Sequence, residues 1–378
     1  VWVHRAGFDS LKELFYYWIN PTYARGRPGA GAAPPSVMLQ ALSAVYRHVW
    51  KAFVFPDDAW QWYWPALRTA EALHLEQPFD AVVSVSLPFT THLVGRAFKR
   101  RHPEVRWLAD VGDPYSLHPG PLQNPLYRLP GRRLEHAILM EADAVVLTNH
   151  ALAEAYERHA GVRAERFAVV PPLWNDEATE ADPGEATPLG EGWHIGYFGA
   201  FYAPIRTPHA LADLIRRTFK QRPDLRQRLF FHFYGEVFPE FWNLLHDLPN
   251  TTLHGLCPPA HAQRQMRQMR ALLSVGNTTP WQLPSKAVSY LASGRPVVHL
   301  SFEQDDAFVR FWADRPHLLV LRVRQGRVEE ADFHRWLFFL EKTPQALSEA
   351  ECRQRVAAFR AEVLAAEYHR LLVFSKKS

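Results

Sequence analysis

The chain has 378 residues, 47% hydrophobic and 22% charged, which is too long for one ordinary core and excludes a disordered or fibrous chain. Its net charge of +4 and pI near 9.0 are spread along the sequence with no tight basic run. That permits attraction to phosphorylated or acidic partners without demanding nucleic acid, and no nucleic-acid partner is expected.

The opening VWVH reads as the middle of a domain, followed by a helical LKELFYYWI. Gly26–Ser36, GRPGAGAAPPS, reads as a mobile loop. Two aromatic runs follow one another, LFYYWINPTY (Leu14–Tyr23) and WQWYWPAL (Trp60–Leu67). Four aromatics within Trp60–Trp64 cannot all face one way in a helix, so some are expected at the surface, lining a groove or touching a membrane interface with Arg25, Arg27, Arg100 and Arg101 nearby. The plainer alternative is a packed helix under a lid.

Short apolar runs then alternate with helical patterns, the rhythm of βα units around a parallel sheet. Strands are predicted at Ala81–Val85, Arg106–Ala109, Ala144–Leu147 and Phe167–Val170, with helices at Phe89–Arg100, Arg132–Glu141 and Leu152–His159. The acidic, Gly- and Pro-rich WNDEATEADPGEATPLGEG reads as a domain boundary. After it the rhythm restarts. Strands are predicted at Trp193–Tyr197, Leu229–Tyr234, Thr252–His254, Ala271–Val275 and Pro296–Leu300, and helices at Pro208–Thr218, Phe241–Leu245, Ala260–Met269 and Ser285–Ala292. Pro344–Leu372 reads as mostly helical. In such sheets ligands bind at the carboxyl ends of strands, near helix N-termini. Cys257 and Cys352 lie far apart, so no disulfide framework is implied and a reducing, cytosolic setting is expected.

Two stretches carry chemistry. In HIGYFGAFYAPIRTPHAL, residues 194–211, Gly199 permits close backbone approach to a ligand. Arg206 precedes Thr207, a natural N-cap, and Pro208, a natural first helical residue. A guanidinium beside a helix N-terminus suits a diphosphate; the alternative is a glycine turn with a solvated arginine. In QLPSKAVSYLASGRPVV, Lys286 falls in the first turn of a helix, where it opposes the dipole at a cost of about 0.3–1 kcal/mol unless an anion binds there. Taken alone, a surface lysine on a flexible stem explains it better.

Together these stretches resemble the glycosyltransferases of the GT-B fold, and more narrowly the retaining sugar transferases of family 4. Members often carry an IGYFG strand with a basic loop, then a PSK-x-x-E-Y-L-A-x-G-x-P-V block, here PSKAVSYLASGRPVV. The likeness covers most of the second half, including YGE (Tyr234–Glu236) and HGLCP (His254–Pro258). In the first half, SVSLPFTTHLVG and WLADVGDPYS resemble the family's S-x-P-x-x-x-H turn and D-x-R-D-P-W pattern, with Gly112 and Tyr115 in place of Arg and Trp.

The resemblance implies an α/β protein of two Rossmann-like domains facing across a cleft: residues 1–180 for the acceptor, 190–345 for the nucleotide-sugar donor, and a C-terminal helix, 346–378, packing back toward the first. It implies transfer of a sugar from a nucleotide-sugar to a glycan or lipid-linked acceptor, with retention, in the cytoplasm or at the inner face of the membrane. Gly199, Arg206, Glu236, Asn277, Lys286 and Ser289 would form the donor site. His92, Asp110 and Asp113 would serve catalysis or orient the acceptor; alternatively the two aspartates tie down the following loop. Arg206, Lys286 and helix-end amides would stabilise the leaving diphosphate with no metal or other cofactor.

Three positions depart from the family. Ser289 stands where a glutamate usually accepts the ribose hydroxyls, and cannot form that bidentate bond. Trp281 replaces another glutamate, and Arg270 an aspartate. Either the nucleotide binds less tightly, by about 1–2 kcal/mol, or Asn277 or Glu236 holds the ribose, or the protein is a catalytically silent relative acting as a partner subunit. His254, Cys257 and His261 have zinc-like composition but no evident fourth ligand. An epimerase or hydrolase on the same fold is a weaker reading; no GxxxxGK loop or GxSxG elbow occurs. By the family's strand order VWV would be the second strand, so a first βα unit on the order of 20–40 residues is expected to be missing.

Overall fold

The computed structural model describes residues 3–4, 54–118, 125–174, 186–201 and 203–373. Most of VWV, the Leu14–Tyr23 aromatics, the Gly26–Ser36 loop, Arg25, Arg27 and residues 175–185 of the acidic boundary lie outside them. The chain divides into two compact units: Val1–Leu147, Ala153–Ala168 and Leu371–Ser378 form one, and Thr148–Leu152 and Val169–Arg370 the other. No helix of the described residues is long and apolar enough to cross a membrane.

The described residues before the acidic boundary run α1 (Tyr63–Glu76), β1 (Ala81–Ser86), α2 (Thr90–Arg101), β2 (Arg106–Val111), α3 (Pro125–Glu141), β3 (Ala144–Leu147), α4 (His150–Ala160) and β4 (Phe167–Val169). The strands lie in the order β1-β2-β3-β4, with β1, β2 and β3 paired in parallel. The β3 run AVVL is buried throughout, the continuous apolar pattern of a strand covered on both faces. Trp107, Leu108 and Ala109 fill the centre of the sheet at 0% exposure. Helix α2 comes close to that sheet because of Gly95: a Cβ there would lie 2.5 Å from Trp107 Nε1. Helix α3 starts well before its predicted first residue, Arg132. The leading PLYRLP has no apolar period and holds Pro130, which sits inside the helix.

The second unit runs β5 (Trp193–Phe198), α5 (His209–Gln221), β6 (Leu229–Tyr234), α6 (Pro239–His246), β7 (Thr251–Gly255), α7 (Pro259–Gln268), β8 (Ala271–Val275), α8 (Lys286–Ser293), β9 (Val297–Ser301), α9 (Ala307–Trp312), β10 (Leu318–Arg324), β11 (Arg327–Val328), α10 (Glu330–Glu341), α11 (Glu349–Val356) and α12 (Ala361–Leu372). Its sheet has the order β11-β10-β9-β8-β5-β6-β7. Neighbouring strands in it run parallel except for β10 and β11. Counted from β5, the six parallel strands follow the 3-2-1-4-5-6 order of a Rossmann sheet.

The apolar stripe of α5, Leu211, Leu214, Ile215 and Phe219, is fully buried against this sheet, the i, i+3/i+4 spacing of a half-buried helix. Trp336 on α10 fixes its indole by donating from Nε1 to Thr218 Oγ1 at 2.9 Å. The sequence assigned no element between Leu300 and Pro344, where the structure has α9, β10, β11 and α10. LLVLRVR carries arginines within its apolar run, which weakened the strand signal. Thr207 does not cap α5. Pro208 occupies the N-cap and the helix begins at His209.

Candidate functional site

In a sheet of this order the chain leaves neighbouring strands β5 and β8 toward opposite sides, and the crevice between their carboxyl ends is the usual ligand site. The β5–β8 ladder ends at Tyr197↔Leu273. Tyr290, buried on α8, takes over there: its hydroxyl accepts from the Phe198 amide at 3.0 Å and donates to the Leu273 carbonyl at 2.8 Å. Beyond β5, Gly199 and Gly235 touch back to back. A Cβ at Gly235, whose φ is +134°, would lie 2.2 Å from the Gly199 carbonyl oxygen.

Arg206 and Lys286 line one small cavity at this crevice, about 20 Å³ in volume, with Ser274, Tyr290 and Phe308. That is room for about one water. Gly199 is beside the guanidinium, since a Cβ there would lie 3.7 Å from Arg206 Nη1. Arg206 donates from Nε and Nη2 to Asn277 Oδ1 at 3.1 and 2.8 Å. Lys286 is the first residue of α8, whose N-cap Ser285 provides no side-chain cap. Its ammonium makes no hydrogen bond or ion pair with a described residue and lies near Cys257, whose thiol is pushed up by burial against the opposing pull of Lys286. The structure therefore brings Gly199, Arg206, Asn277 and Lys286 together.

Ser289 is half-buried one turn further along α8. Glu236 joins the group only through its backbone, accepting the Phe201 amide at 3.3 Å, and its side chain is exposed. Arg270 serves the packing of the unit. It donates to Thr343 Oγ1 and the Leu340 carbonyl, each at 3.0 Å, and lies over the Trp193 ring.

Sequence reasoning missed a second group at the same crevice. Ser274 Oγ lies 2.9 Å from His299 Nδ1, and His299 Nε2 lies 2.9 Å from Asp306 Oδ2. All three are buried. Burial alone would raise the Asp306 carboxyl; His299, the Phe308 amide and Ser301 outweigh it and hold it below its ordinary value. No short motif marks this trio, because the residues come from β8, β9 and the cap of α9.

In the first unit His92 lies in the first turn of α2, as the sequence placed it, and is fully buried. Trp107 Nε1 donates to Ser84 Oγ at 2.9 Å, and Ser84 lies 2.8 Å from His92 Nδ1. Burial lowers His92 to about 4, so the ring is neutral near neutral pH. Asp110 stands opposite Val85 and Val146 near the end of β2. The Asp113 carbonyl accepts from Ser86 Oγ at 3.2 Å. The loop after β2 is held chiefly by a residue not foreseen: the Glu135 carboxylate accepts the Tyr115 and Ser116 amides at 2.7 and 2.9 Å and the Tyr156 hydroxyl at 2.7 Å.

Trp60 and Trp64 are 42% and 56% exposed. They line a groove of about 460 Å³ with Arg96, Arg100 and Arg101. Those arginines are matched by Glu141 and Glu71.

Among the described residues, His254, Cys257 and His261 do not converge as metal ligands; His74, His102 and Glu104 do, within 4.8 Å. His254 instead ends a hydrogen-bonded row across three strands, His194–His232–His254, at 2.9 and 3.0 Å. His74 Nδ1 accepts the Phe79 amide at 2.9 Å, so its neutral ring carries the proton on Nε2 and offers a metal no lone pair there.

Residues 19–172 match the family of the glycosyl transferase 4-like domain. The chain carries a glycosyltransferase domain of this kind on a GT-B fold. Among solved structures it is similar to sucrose-phosphate synthase from Thermosynechococcus elongatus, at 15% identity and a TM-score of 0.59, covering 84% of this chain and 79% of that one. The Anabaena protein HepE in complex with UDP and glucose is 14% identical with a TM-score of 0.56, covering 80% of each chain. The α,α-trehalose 6-phosphate synthase from Burkholderia multivorans is 12% identical with a TM-score of 0.56, covering 82% of this chain and 76% of that one. These likenesses bear on the fold; the family match gives the enzyme class, a glycosyltransferase. Among curated proteins, none matches the sequence.

Proposed function

We propose that this glycosyltransferase moves a sugar from a nucleotide-sugar donor bound by the second unit to a glycan or lipid-linked acceptor bound by the first, with retention. The observation that carries the donor half is the placing of Arg206 and Lys286 on one cavity at the switch point of a Rossmann-order sheet. An ammonium at the start of α8 and a guanidinium on the same cavity favour a diphosphate over any neutral ligand. As the sugar leaves, negative charge grows on the bridging oxygen, and fixed cations lower that barrier without reorganising. In this scheme they take the part a divalent cation plays elsewhere, and no metal is required. The Anabaena protein HepE, of the same fold, is seen with UDP and glucose, which supports a nucleotide-sugar as the donor class.

On the acceptor side, Asp110 and Asp113 at the end of β2 would orient an acceptor hydroxyl. The exposed Trp60 and Trp64, with Arg100 and Arg101 beside them, would stack on a sugar or rest at a membrane interface. The direct test is calorimetric titration of UDP, GDP and ADP into the wild type and Lys286→Ala. Saturable binding of one nucleotide that the substitution weakens at least tenfold is the expected result. Folded protein that binds none of the three overturns the donor site.

A further inference from the structure

We propose that Ser274, oriented by His299 and Asp306, is a third contact to the donor's diphosphate, and that binding the diphosphate draws one proton from solvent onto His299. The inference rests on the donor-site reading above and adds a protonation step to it.

Asp306 is held on both oxygens. Oδ1 takes the Phe308 amide at 2.8 Å, and Oδ2 lies 2.9 Å from His299 Nε2 and 3.1 Å from Ser301 Oγ, whose single proton is shared with the Glu303 carbonyl at 2.8 Å. Being held as a carboxylate, it fixes the proton of His299 on Nε2. The open choice is at Nδ1. In the neutral ring Nδ1 accepts the Ser274 hydroxyl proton, and the serine shows only lone pairs to its other neighbours. In the cation Nδ1–H donates to Ser274 Oγ, which releases the serine proton to donate elsewhere.

Ser274 lines the same cavity as Arg206 and Lys286. A diphosphate brings negative charge to that cavity and supplies an acceptor for the serine proton, and both favour the cation over the neutral ring. The resulting line runs from Asp306 carboxylate through His299 cation and Ser274 hydroxyl to a phosphate oxygen. No covalent bond changes apart from the uptake of one proton.

The surroundings suit such a relay. His299 is 0% exposed and Asp306 5%. The Phe308 ring stacks on the imidazole at 4.4 Å. Gly276 packs its backbone over the pair: a Cβ there would lie 3.0 Å from Asp306 Oδ2 and 3.4 Å from His299 Nε2. The remaining titratable groups at the cavity are Tyr197 and Tyr290. Their hydroxyls already donate to the Ala200 carbonyl at 3.1 Å and the Leu273 carbonyl at 2.8 Å.

The test uses the full chain and whichever of UDP, GDP and ADP binds, titrated near neutral pH in two buffers of unlike ionisation enthalpy. The expected result is a heat that differs between the buffers, showing proton uptake. In Ser274→Ala and His299→Gln the uptake disappears and Kd rises about tenfold, the size of one charge-assisted hydrogen bond. Ser274→Thr, which keeps the hydroxyl, restores the uptake. Binding with the same heat in both buffers overturns the relay and leaves the donor site standing, as does uptake that persists in Ser274→Ala. Folded protein that binds none of the three nucleotides overturns both.

Discussion

Arg206 and Asn277 are joined at a single atom: the guanidinium donates from Nε at 3.1 Å and from Nη2 at 2.8 Å to the same Oδ1. Two donors on one oxygen fix which end of the amide is which. They also turn the plane of the guanidinium and set the direction in which its remaining donors point. Asn277, 7% exposed, therefore positions the arginine, and its oxygen is already committed where the sequence had offered it to a ribose. Asn277→Ala should leave the fold intact and weaken nucleotide binding by at least about tenfold, since a hydrogen bond to a charged group contributes about 1.5–3 kcal/mol. Calorimetry beside circular dichroism separates the two effects. Affinity within twofold of wild type would show that Arg206 needs no such support.

Ser289 allows a gain-of-affinity experiment. It lies half-buried on the helix that Lys286 begins, where the family's glutamate would meet the ribose. Ser289→Glu should tighten binding of UDP by about tenfold, 1–2 kcal/mol, because a carboxylate accepts two hydroxyls at once. It should leave 2′-deoxy-UDP nearly unchanged. Equal effects on both ligands would place the ribose elsewhere.

Tyr290→Phe tests the staple between β5 and β8. It leaves the buried Phe198 amide and Leu273 carbonyl each without the hydroxyl that now serves them. One or two unsatisfied buried groups cost about 1–3 kcal/mol. Urea unfolding should show a lower midpoint with an unchanged slope. A midpoint equal to wild type would mean that water replaces the hydroxyl.

Stability should also depend on pH on the acid side. Burial lowers His92 to about 4, and burial with His254 and His194 lowers His232 to about 4. Each lies below the ordinary value near 6.5, so the native state binds fewer protons than the unfolded chain. The contribution of each ring is full above about pH 6.5 and is lost as the pH falls through about 4. The urea midpoint should therefore drop between about pH 7 and pH 5, and the drop should shrink in His92→Gln. A midpoint that does not change over that interval would show that neither ring stays neutral at the cost inferred from its burial.

Much of this protein was readable locally. The runs AVVL, LFFHFY and ALLSV gave strands β3, β6 and β8 with their observed bounds, because a strand buried on both faces leaves a mostly apolar run. Arg206 and Lys286 were found from helix-start chemistry, which is a matter of neighbours in sequence. Helix α3 begins earlier than predicted, with Pro130 inside it, because its leading turn is largely exposed and so carries no apolar period. Residues 301–343 gave no clear local signal, although four elements form there.

The sequence by itself determined that the chain alternates strands and helices, where most of them lie, and which two cations mark a candidate phosphate site. Only the tertiary structure decided the strand order that sets those cations on one cavity. It alone assigned Asn277 to Arg206, buried His92 against Ser84, gave the loop after β2 to Glu135, and joined Ser274 to His299 and Asp306. The physical reason is separation. A strand's apolar period and a helix's first turn are written within about ten residues. Parallel pairing, by contrast, sets side by side residues such as Ser274 and His299, which are 25 positions apart, and no local pattern records which strands will be neighbours.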